Sequence, residues 1–105
     1  MKAPAVLLDP ATRRSERMRQ LFAEYAPKDL AALESTLSSG VPDEIAKAAH
    51  RLKGGSYTFG AVRLGDAAAE IERSARGGAL PSAEAIAALS QALKETLAEL
   101  AALPR

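Results

Sequence analysis

The chain holds one histidine, His50, and the residue types around it suit chemistry on its ring. Neutral imidazole is a good nucleophile near neutral pH, because its ordinary pKa is about 6.5. Lys53 follows three residues on. On a helix that spacing puts a flexible point charge within reach of any group the imidazole carries. Gly54 and Gly55 come next. Inside a helix each costs roughly 0.8–1 kcal/mol relative to Ala, so a helix that only had to be stable would not carry both. Phosphoryl transfer has these requirements. It asks little covalent work of a protein, but needs in-line access and positive charge near the equatorial oxygens.

These residues need a helix to hold them. Val41, Ile45, Ala49, Leu52, Ser56 and Phe59 fall at spacings of three and four, which predicts a helix over 42–59 with that stripe facing a core. At about 100° per residue, His50 projects roughly 140–150° from the stripe, almost opposite the core. Lys53 and Tyr57 lie on the same side, and Ala46 and Gly54 flank the imidazole one turn before and after. Small flanks leave the ring free for a bulky partner. Gly55 points nearer the core, where it allows close helix packing. Ser56, the polar member of the stripe, can bond a carbonyl one turn back. Lys47, Arg51 and Arg63 add weaker positive field. A lone histidine on a solvated face is ordinarily just a surface residue; the glycine pair is what argues for more.

The rest of the chain reads as helices too. Asp9-Pro10 has the form of a helix start. Met18, Leu21, Phe22 and Tyr25 keep helical spacing, Pro27 interrupts, and Leu30, Leu33 and Leu37 resume in a shifted phase. This predicts one long kinked helix, or two meeting near Pro27, ending at Ser38-Ser39-Gly40. Gly60 ends the His50 helix. A further segment over 61–76 puts Leu64, Ala68, Ile71 and Ala75 on one face and stops at Gly77-Gly78. Ser82 then caps a last helix to about Leu103, with Ile86, Leu89, Leu93, Leu97 and Leu100 facing in. Short connections between amphipathic helices predict an all-α, antiparallel up-and-down four-helix bundle with a short N-terminal extension, forming a single domain over 1–105.

Composition supports this and excludes other classes. Apolar residues make up 48% of the 105, dominated by Ala and Leu, with two Phe, two Tyr and no Trp. Such a core comes from closely packed helices, not from strands. The net charge of +1, without runs of one sign, argues against a nucleic-acid binder. The absence of Cys excludes disulfides and thiolate metal sites, and one His excludes a multi-His site. Residues 1–8 hold only a short apolar patch, Val6, Leu7 and Leu8, too short for a signal-peptide core or a membrane span. A cytoplasmic protein without membrane contact is the expectation.

The run Ala49-His50-Arg51-Leu52-Lys53-Gly54-Gly55-Ser56, followed by Phe59-Gly60-Ala61 and Leu64, resembles the signature of the histidine phosphotransfer (HPt) family. That signature is a His, an apolar residue two on, then Lys-Gly, with a Gly about ten residues after the His. The likeness extends from Leu21–Leu37, with its internal Pro27, to the stretch from Leu64 to Ile71-Glu72. It implies an antiparallel four-helix bundle whose exposed histidine, here His50, is the phosphoacceptor. Lys53 matches the lysine that steadies the phosphoryl oxygens, and Gly54 matches the small residue that gives access. Ala46, Lys47, Arg51 and Tyr57 fall in the docking face. The implied partner is the receiver domain of a response regulator or hybrid histidine kinase, which brings the Mg²⁺; no cofactor is expected on this chain. Two departures are mild. The segment before the long helix is short, so no full extra N-terminal helix is expected, and Gly55 stands where Ala or Ser is frequent.

No Gly-rich phosphate loop and no Mg²⁺-binding acidic cluster is visible, so self-phosphorylation from ATP is not expected. The expected function is a phosphotransfer intermediate, monomeric, and not a kinase on its own. Two other readings compete. One is a non-catalytic helical module that docks a receiver or kinase domain without phosphate. The other is an assembly domain, which predicts a large outer apolar patch and self-association.

Overall fold

The computed structural model describes Leu8 and residues 10–103. Five helices follow one another: α1 (Pro10–Arg14), α2 (Glu16–Ser39), α3 (Pro42–Thr58), α4 (Val62–Arg76) and α5 (Ala83–Ala102). No strand occurs among the described residues. No helix of the described residues is long and apolar enough to cross a membrane.

The first helical stretch departs from expectation at one point and keeps to one of the two alternatives at another. It breaks at Ser15, whose backbone is extended and whose Oγ accepts from the Met18 N–H at 3.1 Å. Ser15 is thus an N-cap inside what the pattern presents as one run, and it splits off the five-residue α1. Pro27, by contrast, does not divide the chain; α2 is one helix of 24 residues running through it. A proline in a helix interior costs about 3 kcal/mol through its lost bond and steric clash. Burial of Phe22, Ala26, Leu30 and Leu33 along the same helix offsets it. The proposed Asp9 start, with Val6 and Leu7, lies outside the described residues. Leu8 is buried, and its N–H donates to Glu99 Oε2 of α5 at 3.2 Å.

The remaining boundaries follow their sequence signals. Gly40 closes α2 in the left-handed region at φ 67°. Pro42 opens α3, with Asp43 and Glu44 complementing its first turn. Ser82 caps α5 by accepting from the Ala85 N–H at 3.1 Å. The core draws on four helices: Phe22 and Leu33 from α2, Ile45 and Leu52 from α3, Leu64 and Ile71 from α4, and Leu89 and Leu93 from α5. Ser56 is buried as its place in the stripe requires, donating to the Leu52 carbonyl at 2.6 Å. Val41 is the exception, lying exposed at the N-cap of α3, where the chain has not yet entered the bundle.

Two packing relations position the site. α2 and α4 flank α3, and α5 packs on α4 and α2. The link through Phe59, Gly60 and Ala61 turns the chain back on itself. Gly60 takes φ 70° there, and the Ala61 N–H donates to the Ser56 carbonyl at 2.8 Å. α4 therefore retraces α3, so that Tyr57 meets Asp66 and His50 meets Glu72.

Candidate functional site

The site is built on one turn of α3 and the facing turn of α4. Its centre is Glu72, which lies in phase with the inward residues Ala68, Ile71 and Ala75 of α4. The Glu72 side chain is only 7% exposed, and three cationic or protonatable groups converge on it. His50 Nδ1 lies 2.9 Å from Oε2, and Lys53 Nζ lies 2.6 Å from Oε1. Arg76, one turn along α4, donates to Oε2 through its Nε at 2.8 Å and a terminal nitrogen at 2.7 Å. Burial works against the Glu72 charge. The hydrogen bonds from Lys53, Arg76 and His50 outweigh it and hold the carboxyl down at about 2.

This geometry decides the chemistry of the imidazole. A carboxylate only accepts, so Nδ1 carries a proton, and in the neutral ring Nε2 holds the lone pair. The His50 side chain is 61% exposed, so the ring is held at one nitrogen and open at the other. The arrangement is that of an oriented, accessible nucleophile with a fixed anion behind it.

The other anticipated residues fall as follows. Lys53 joins His50 at the same carboxylate, so both belong to one cluster. Gly54 faces solvent, and a Cβ added there would meet nothing within 4 Å among the described residues. Gly55 faces α2, where a Cβ would overlap the Tyr25 ring. The Tyr25 O–H donates to the Arg51 carbonyl at 2.9 Å, within the turn that carries His50. Burial and the nearby Asp29 push this phenol up. Tyr57 is 43% exposed but not free: its ring lies over Gly65 and its O–H donates to Asp66 Oδ1 at 2.6 Å. Lys47 and Arg51 are exposed, Lys47 pairing with Asp43 at 3.3 Å. Arg63 is engaged by Glu95 of α5 rather than contributing field at His50.

Ala46 requires correction. It is 1% exposed, not a member of the open face. The reason is that α3 has two neighbours, so its buried surface is wider than one stripe; small residues on both sides let α4 close over the flank that holds Ala46. It stands beside Ala75 and Arg76 of α4.

Glu72 and Arg76 are the residues that sequence reasoning did not assign to the site. A signal existed, because Glu72 is a charged residue at an inward phase of α4, where unpaired carboxylates are rare. Its i,i+4 relation to Arg76 was a second. No group of three or more metal-ligating side chains suited to a metal ion occurs among the described residues.

Comparison with known proteins gives one family. The model of the Hpt domain matches residues 17–103. No curated protein and no solved structure gives a match. The matched span takes in α2, but for its first residue, to α5 with the whole His50–Lys53–Glu72–Arg76 cluster, and the chain belongs to the Hpt domain family.

Proposed function

We propose that this chain is a phosphohistidine carrier of a two-component phosphorelay, with His50 as the phosphoacceptor. Phosphotransfer in two-component signalling is the business of its family. The observation that carries the reading is the Nδ1 contact to Glu72, which leaves Nε2 as the open nucleophile on an exposed ring.

In the proposed step, the Nε2 lone pair attacks the phosphorus of a receiver's aspartyl phosphate. The P–Nε2 bond forms as the P–O bond to the aspartyl carboxyl breaks, and the leaving carboxylate keeps the electron pair. The ring becomes positive as the bond forms, and the Glu72 carboxylate against Nδ1–H stabilises that charge. Lys53 supplies positive charge for the phosphoryl oxygens. Gly54 leaves the approach clear. The reverse sequence passes the group to the next regulator. Mg²⁺ belongs to the partner in this scheme, and the chain itself takes no cofactor.

The docking face comprises the exposed side of α3, with Lys47, Arg51 and Tyr57. We read α2 to α5 as an antiparallel up-and-down bundle; the pairings Tyr57–Asp66 and His50–Glu72 support this for α3 and α4. The carrier works as a cytoplasmic monomer.

The test is transfer from several phosphorylated receiver domains to the purified chain, beside His50→Gln. An acid-labile, base-stable phosphoryl group on the wild type and none on His50→Gln is the expected result. If no receiver labels the wild type while His50→Gln binds receivers equally well, the chain is a docking module without phosphate chemistry.

A further inference from the structure

The cations of α3 and α4 divide sharply by what holds them. Lys53 and Arg76 are held on Glu72. Lys47 pairs with Asp43, Arg73 with Glu70, and Arg63 with Glu95. Arg51, the residue next to His50, is exposed and forms no ion pair within 4 Å among the described residues. Its backbone, by contrast, is fixed: the Tyr25 O–H from α2 holds its carbonyl at 2.9 Å. Gly54, one turn on, leaves the surface beside it clear. A guanidinium on a pinned backbone, uncompensated at home and bordered by open space, is prepared for a carboxylate that arrives from outside.

We propose that Arg51 is the docking residue of this site, engaging a surface carboxylate that borders the phosphorylation site of the receiver domain. The inference rests on the phosphotransfer reading and assigns it a division of labour. Glu72, Lys53 and Arg76 act on the imidazole and the phosphoryl group, while Arg51 acts on the partner. Its neighbour Lys47 already pairs with Asp43 on the same helix. A charge at the rim of an interface acts chiefly on encounter and on salt dependence.

One rival is specific. Asp29 of α2 has a buried Oδ2 with no hydrogen-bond partner among the described residues, and both Asp29 and Arg51 act electrostatically on Tyr25. If Arg51 turns back to Asp29 in solution, its role is internal.

The experiment compares wild type with Arg51→Ala, Arg51→Lys and Arg51→Glu, using two phosphoryl donors. One is a phosphorylated receiver domain that labels the wild type; the other is phosphoramidate, which has no docking surface. For Arg51→Ala the ratio of receiver transfer to phosphoramidate labelling falls by roughly 5–10-fold, through KM, and kcat/KM loses part of its salt dependence. Arg51→Glu falls further, and Arg51→Lys recovers part of the loss. Equal slowing with both donors overturns the proposal, because Arg51 then acts on the chemistry. An unchanged ratio with a lowered Tm also overturns it, in favour of the contact with Asp29. A wild type that neither donor labels overturns the phosphotransfer reading itself, a result separate from any Arg51 effect.

Discussion

At the scale of the residue, one carboxylate sets the character of the site. Glu72 uses one oxygen for Lys53 and the other for His50 and Arg76. It therefore fixes which imidazole nitrogen keeps its proton and where the nearest ammonium waits. Lys53→Ala removes the ammonium while leaving the Glu72 contacts to His50 and Arg76. Charge-assisted contacts to a transferring group contribute about 1.5–3 kcal/mol. Transfer to Lys53→Ala should therefore slow by roughly 10–100-fold. Time courses of receiver-to-His50 transfer measure this, and a rate within twofold of wild type would deny Lys53 its electrostatic role.

At the scale of the element, α3 carries two adjacent glycines with opposite reasons. A Cβ at Gly54 meets nothing within 4 Å among the described residues, whereas a Cβ at Gly55 overlaps the Tyr25 ring. Gly54→Ala should thus raise helix stability by about 0.8–1 kcal/mol, seen as a higher Tm. The same change should slow transfer from a receiver, since the added methyl stands where a partner approaches. A gain in both stability and transfer would show that Gly54 has no part in access. Gly55→Ala should do the reverse, costing about 1–3 kcal/mol by overpacking. Chemical denaturation of Gly55→Ala alone and with Tyr25→Leu checks this, with recovery expected in the double variant. Both glycines break the pattern of a stable helix, and only one of them does so for the surface.

At the scale of the whole molecule, the buried cluster links protonation to folding. The Glu72 carboxyl is held at about 2 against an ordinary 4.5, which corresponds to roughly 3 kcal/mol of stability. Because the folded value lies below the unfolded one, this contribution is complete above about pH 4.5 and is lost as pH falls toward 2. Glu72→Gln should lower stability at pH 7 and flatten the stability profile between those limits. Denaturant melts across that range measure it; a variant with the wild-type acid profile would remove Glu72 as the source. The side chains that meet here come from two helices held by a shared core, so the same packing that stabilises the chain orients the His50 ring.

Much of this was legible in the residues themselves. Helical spacing marked α3, α4 and α5 nearly to their ends, and the run from His50 to Gly54 put His50 and Lys53 on one side of α3, because residues three and four apart on a helix are neighbours whatever surrounds it. Ser15 was less legible, since a serine reads alike as a cap and as an ordinary surface position until its backbone is seen. Tertiary structure alone decided the rest. The contact between His50 and Glu72 spans 22 residues, and it depends on the rotation of α3 and α4 and on their axial register. The same rotation buries Ala46 and lays Tyr57 over Gly65. A sequence determines the angle of each side chain about its own helix through the fixed 100° step. Which side chain meets which across two helices is set by how their surfaces interlock, a property of the packed pair that neither segment carries alone.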